Sequence, residues 1–297
     1  MNTTLLGPEF LRELEMLKRR LEIQARSGEL GERAAPRRGG SAEFQEHRPY
    51  APGDDPRRID WLAFARTGQP VTKLFRAEED AVVRLVLDAS ASLSFGSPSK
   101  HEMAQRIAAA VGVVALSSGQ RAELALSRER PDRADPLERL GRRKRGRAAT
   151  AELVREIARV TPEGRADLAR AIRRVIESSP RPGLLVLLSD FLDPGPVTAA
   201  LGMARAAGHD VALVQIMDRS ELEPDLEGDF SLVDAETGAT VEVTMDATAI
   251  DAYLLRVAGL AEELRTWARR HGATYVRAMT DEPLLDVIRR FVKRAVD

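Results

Sequence analysis

The sequence predicts an α/β fold: a doubly wound, mostly parallel sheet flanked by helices, with an N-terminal extension and an inserted β-hairpin. Three observations lead there. The runs "VVRLVLD", "GLLVLLSD" and "DVALVQIM" are nearly continuous apolar stretches, which read as strands covered on both faces. Helical patterns separate them, which implies βαβ units with right-handed crossovers. Two of the strands end in an acid, Asp88 and Asp190, at the place where open sheets bind ligands.

Taken in order, Pro8 to about Arg26 reads as an amphipathic helix, with Phe10, Leu14, Leu17 and Leu21 at helical spacing. Gly28 to Gly40 is rich in Gly and Arg and reads as a connector. Ala42 to Asp80 is dense in charge and turn residues. It is expected to wrap over a neighbouring surface through ion pairs and the apolar anchors Phe44, Tyr50, Ile59, Trp61 and Phe64. The chain thus divides into residues 1–80, an extension packed on the main domain, and residues 81–297, the main domain.

From Ala81 onward strands and helices alternate. Strands are expected at Val82 to Leu87, Ala122 to Ser127, Gly183 to Asp190, Asp210 to Met217 and Ala273 to Met279. Helices are expected at Ser99 to Ser117, Ala151 to Val160, Asp167 to Glu177, Val197 to Ala207, Ala249 to His271 and Pro283 to Val296. "FSLVDAETGATVEVTM" alternates apolar and polar residues about a Gly-containing turn and reads as the inserted hairpin.

Composition narrows the function. The chain has 297 residues, 43% hydrophobic and 31% charged, with net charge -1, so no overall field recruits nucleic acid or an anionic membrane. Cysteine is absent, which excludes disulfides, thiolate metal sites and cysteine nucleophiles and points to a reducing cytoplasm. No signal peptide or bilayer-spanning run is present, so direct membrane insertion is not expected.

Catalytic patterns are missing as well. There is no G-x-S-x-G, "GSPSK" lacks the phosphate-loop frame, and "HEMAQ" lacks the second histidine of a zinc helix. The best enzyme reading is a divalent-metal phosphoester hydrolase with Asp88 as nucleophile, but Ser90 stands where such chemistry wants a second acid. The chain is therefore expected not to be an enzyme.

The candidate site begins at Asp88, followed by Ser90 and Ser92 with small alanines between. A carboxylate and two hydroxyls suit a hard cation such as Mg2+. The plain alternative is a capped turn, in which these side chains bond nearby backbone N–H groups. "RLGRRKRGR", Arg139 to Arg147, has six basic residues in nine. It lacks interleaved aromatics, so it reads as a solvated loop, and Arg142, Arg143, Lys144 and Arg145 are candidates for docking an acidic partner rather than nucleic acid.

Two motifs carry a family resemblance. Asp88, Ser90 and Ser92 with the later "SD" resemble the metal-ion-dependent adhesion site of von Willebrand factor A-type domains. Upstream, Arg48, Tyr50, Gly53, Asp54, Asp55, Arg57, Ile59, Asp60 and Trp61 match the motif of the bacterial family known as domain of unknown function 58.

The resemblance implies an A-type fold and a non-enzymatic adaptor working with a MoxR-type AAA ATPase. It also implies a site for Mg2+ or Mn2+ built on Asp88, Ser90, Ser92 and Asp190, with Asp167 as a further ligand. An acidic side chain of the partner would complete the shell. The family's second-loop threonine is replaced by Ala166, whose methyl cannot ligate. A metal-free scaffold binding through the basic run and the N-terminal helix is the resulting alternative.

Overall fold

The computed structural model describes residues 7, 9–10, 12–14, 16, 43–51, 59–76, 82–129, 135–179, 181–192 and 195–296. The chain divides into two compact units, one of Met1–Ala35 with Ala81–Asp297 and one of Pro36–Asp80.

The larger unit is built on a six-stranded sheet. Its strands are β3 (Val82–Asp88), β4 (Arg121–Ser127), β5 (Leu137–Arg145), β6 (Leu184–Ser189), β7 (Asp210–Met217) and β10 (Thr274–Met279), in the order β10-β7-β6-β3-β4-β5. All neighbours run parallel except β5, which is antiparallel to β4. Every residue of β3 is buried. Its side chains alternate between two cores. Val83, Leu85 and Leu87 pack on one face with α3 (Lys100–Ser117), α4 (Thr150–Ala158) and α9 (Leu284–Val296). Val86 packs on the other with α5 (Leu168–Ser178), α6 (Val197–Ala206) and α8 (Ala247–Arg270). Two covered faces on one strand are what the nearly continuous hydrophobic run predicts, although Arg84 interrupts it.

The winding fixes the location of the crevice. From β3 the chain moves through α3 to β4 on one side, then returns to place β6 on the other side of β3. Strand order therefore reverses between β3 and β6, and their carboxyl ends diverge into a cleft. The register pairs Leu87 with Leu188, which sets Asp88 beside Ser189 and just short of Asp190.

One expectation fails here. The basic run is not a loop but most of β5, the edge strand. Leu137 is buried and Leu140 packs against the core, while charged residues fill the remaining positions except Gly141. Charge on an edge strand blocks pairing with other chains, and here it masks the alternation that would mark a strand in sequence.

Residues 9, 10, 12–14 and 16 are helical (α1) and belong to the larger unit. Phe10 and Leu14 join the α3-side core, and Arg106 of α3 donates to Glu13 at 3.0 Å. Leu17, Leu21 and the connector Gly28 to Gly40 lie outside the described residues.

The smaller unit is compact in itself. It pairs β1 (Glu43–Pro49) antiparallel with β2 (Val71–Arg76) and carries α2 (Trp61–Thr67) between them. Asp60 caps α2 by accepting from the Leu62 and Ala63 N–H groups, both at 3.1 Å. Trp61 and Phe64, expected as anchors, are exposed, while Ala63 is the buried residue of α2. Gly53, Asp54, Asp55, Arg57 and Arg58 lie outside the described residues.

The expected hairpin is present as β8 (Gly228–Val233) and β9 (Thr240–Met245), a two-stranded sheet of its own. A short helix, α7 (Arg219–Leu222), precedes it. Among the described residues no helix is long and apolar enough to cross a membrane.

Candidate functional site

Asp88 closes β3 and is 2% exposed. Its Oδ1 accepts from the Ser90 N–H at 2.9 Å and the Ser90 hydroxyl at 2.7 Å, while its Oδ2 accepts from the Ser189 hydroxyl at 2.5 Å. Ser90 Oγ and Ser92 Oγ stand 2.9 Å apart. The loop holding them is short because Ala91–Ser94 forms one 3-10 turn, pinned by the fully buried Leu93. The sequence thus converts alternate serines into neighbouring hydroxyls.

Asp190 follows β6 and lines the same cavity, about 680 Å³ in volume, as Asp88, Ser90 and Ser92. Its loop takes a strained path: Phe191 has φ 61°, in the left-handed region. The buried Phe191 ring anchors that turn, and its N–H donates to Ser189 Oγ at 2.9 Å. Asp190 is already engaged, since its Oδ1 accepts from the Leu192 N–H at 3.0 Å and its Oδ2 from Lys100 Nζ at 2.7 Å.

Lys100 was not singled out in the sequence, yet it sits at the heart of the site. It opens α3, is 2% exposed, and also donates to Glu221 Oε1 at 2.7 Å. Burial would lower its pKa, but Asp190 and Glu221 outweigh that and hold the ammonium above its ordinary value. The only sequence cue was its place directly after the Ser99 cap of α3.

The second loop brings Arg165, Ala166 and Asp167 to the cavity wall. Gly164 is required there. It has φ +68°, and a Cβ would meet the Glu129 carbonyl at 2.9 Å. Asp167, expected as a ligand, caps α5 by accepting from the Arg170 N–H at 2.7 Å.

The hairpin supplies a third carboxylate that sequence reasoning missed. Glu236, in the turn between β8 and β9, lines the same cavity as Ser90 and Ser92. Its Oε2 lies 3.7 Å from Arg165 Nε. No periodicity links a hairpin tip to a distant loop, so only the fold reveals the pairing.

The electrostatics show a site short of positive charge. Burial, then the neighbouring Asp190, pushes the Asp88 carboxyl up from 3.8 to about 7, against the pull of its hydrogen bonds to Ser189 and Ser90. Burial also raises Glu236, although Ser92 and Ser90 pull it back.

A small hard cation, with oxygen donors on every side, satisfies such a set. Among the described residues no group of three or more His, Cys, Asp or Glu is arranged to hold a metal unaided, so an ion here depends on the serine hydroxyls. The residues present fit such an ion.

The basic candidates of β5 divide. Lys144 is buried and bonded to Glu152 and Glu156 at 3.0 and 2.8 Å. Arg143 reaches Glu123 at 3.3 Å, while Arg142 and Arg145 are exposed.

Residues 46–262 match the family described as "Protein of unknown function DUF58". An uncharacterized protein of Mycobacterium tuberculosis is 34% identical over 261 residues, covering 86% of this chain and 80% of its own length. Another, from Mycobacterium avium, is 38% identical over 153 residues, covering 50% of this chain and 89% of its own.

Two solved structures are more distant. The conserved hypothetical protein BatB of Bacteroides thetaiotaomicron has TM-score 0.45 at 14% identity, over 73% of this chain and 100% of that one. A von Willebrand factor type A protein of Catenulispora acidiphila has TM-score 0.40 at 16% identity, over 76% and 43%. With a family match over most of its length and a relative a third identical along most of both chains, this chain belongs to the DUF58 family of proteins of unknown function.

Proposed function

We propose that this chain is a non-enzymatic docking module whose β3–β6 cleft holds Mg2+ or Mn2+ and recognises an acidic side chain of a partner protein. The observation that carries this reading is the convergence of Asp88, Ser90, Ser92 and Asp190 on one cavity at the strand-order reversal. Asp88, Ser90 and Ser92 would hold the ion, and Asp190 would add charge from behind. When bound, the ion supplies the positive charge that lets a carboxylate approach two acids. A MoxR-type AAA ATPase is the partner that the family resemblance suggests.

Calorimetry with Mg2+ and with Mn2+ tests the reading. Binding heats for the native chain that vanish in Asp88→Ala support it. Equal heats for both chains overturn it.

A specific observation favours a second reading, a metal-free scaffold. Lys100 already neutralises Asp190, and Ala166 offers no oxygen to an ion. In that case capture of the ATPase by this chain survives a chelator. In the metal-assisted case the chelator abolishes it.

A further inference from the structure

We propose that Glu236 is the chain's own acidic ligand for this site: the hairpin tip places its carboxylate where a partner's would enter, so the β8–β9 hairpin caps the cleft until a partner displaces it. The inference rests on the metal reading above and names how that site is regulated.

The tip is built to present this residue. Asp234 Oδ1 accepts from the Glu236 N–H at 2.9 Å and Oδ2 from the Thr237 hydroxyl at 2.6 Å. The Asp234 N–H reaches the Ala239 carbonyl and the Gly238 N–H returns to the Asp234 carbonyl, both at 2.8 Å, with Gly238 at φ 70°. These bonds stiffen the turn and set Glu236 on the wall of the cavity that Asp88, Ser90 and Ser92 also line. Three of its neighbours on that wall are therefore expected cation ligands.

Arg165 does not account for the placement. Its contact is long, at 3.7 Å, and the side chain is 54% exposed. Exposed pairs of this kind contribute little.

The hairpin is also free to leave. Among the described residues β8 and β9 pair with each other alone, and most of their residues are exposed. A lone two-stranded hairpin is marginally stable in water, so tip contacts count for much of what positions it. A cation shared by Ser90, Ser92 and Glu236 closes the cap more firmly. A competing carboxylate on the same ion opens it.

Mn2+ titration of the native chain and of Glu236→Gln, with hydrogen exchange across residues 228–245, tests this. We expect Glu236→Gln to bind Mn2+ roughly tenfold more weakly through the loss of one charged oxygen ligand. Added acetate should restore affinity in the variant and not in the native chain. Mn2+ should slow exchange around residues 234–240 only when Glu236 is present. Equal Mn2+ affinity in both chains, with hairpin exchange unmoved by the ion, overturns this inference and leaves the metal reading standing. No Mn2+ binding by either chain overturns both.

Discussion

Ser189 donates its hydroxyl to Asp88 across the boundary where strand order reverses, at 2.5 Å. The bond ties the end of β6 to the end of β3 inside a water-poor cleft. Ser189 Oγ in turn accepts from Phe191, which fixes the strained loop carrying Asp190. One serine therefore sets the spacing of both acids, and the acids are held close although their charges repel.

Burial of the Asp88 carboxyl, reinforced by the nearby Asp190, has a consequence for stability that can be measured. The folded Asp88 carboxyl titrates near 7, the unfolded one near 3.8. Between those values the folded chain keeps a proton that the unfolded chain has released. Stability of the metal-free chain from this group therefore falls as pH rises from about 4 to 7 and levels off above. Asp88→Asn should remove that slope and raise the metal-free Tm near pH 8. Each pKa unit relieved is about 1.4 kcal/mol, or roughly 3–6 °C in a domain of this size. Thermal denaturation across pH, with and without Mg2+, checks it. A native chain equally stable at both ends of the window contradicts the expectation.

Buried histidines act in the opposite direction and supply a control. His101 and His209 are held below their ordinary pKa, chiefly by burial. Their contribution is complete above pH 6.5 and is lost as pH falls below it. His101→Gln should therefore flatten the acid side of the stability profile while leaving the Asp88 slope in place. A profile unchanged below pH 6.5 would count against the burial of His101.

Lys100 joins Asp190 and Glu221 in a triad almost closed to water. Removing the ammonium leaves two buried carboxylates facing each other without a counter-charge. Lys100→Met should cost about 3–5 kcal/mol of stability, the penalty for breaking a buried pair. Adding Glu221→Gln should recover part of it. Denaturant titration of the single and double variants measures both. Independent, additive losses would mean that the three side chains are not coupled.

β5 separates two kinds of basic residue. Lys144 is structural, because it is buried between Glu152 and Glu156. Arg142 is exposed and makes a fairer test of partner docking. If the metal-free scaffold is right, Arg142→Glu should weaken capture of the ATPase severalfold, while Lys144→Met should lower Tm first. Unaltered capture by Arg142→Glu removes the strand from the interface.

Much of this was legible in the residues. The nearly continuous apolar run of β3 declared a strand with two covered faces, and acids at two strand ends marked the cleft. The turn chemistry of "DAETG" declared the hairpin. Lys100 stayed hidden because its sequence neighbours say nothing of Asp190 and Glu221, which reach it from other elements. Glu236 was hidden for the same reason. β5 was hidden by its own charges.

Ala166 offers the sharpest manipulation of the cleft. It lines the cavity with a methyl where the family resemblance implies a hydroxyl. Its neighbours are already positioned: Gly164 provides the turn and Asp167 caps α5. Ala166→Thr therefore adds an oxygen to a wall that exists, without changing charge. For an ion that prefers six oxygens, one neutral ligand in place of a methyl should raise Mg2+ affinity severalfold. The variant should also keep the native Tm when metal is absent. Calorimetry of the variant beside the native chain decides the matter. An affinity that does not move would mean that the second loop stands too far from the ion, and that Asp88, Ser90, Ser92 and Glu236 hold it alone.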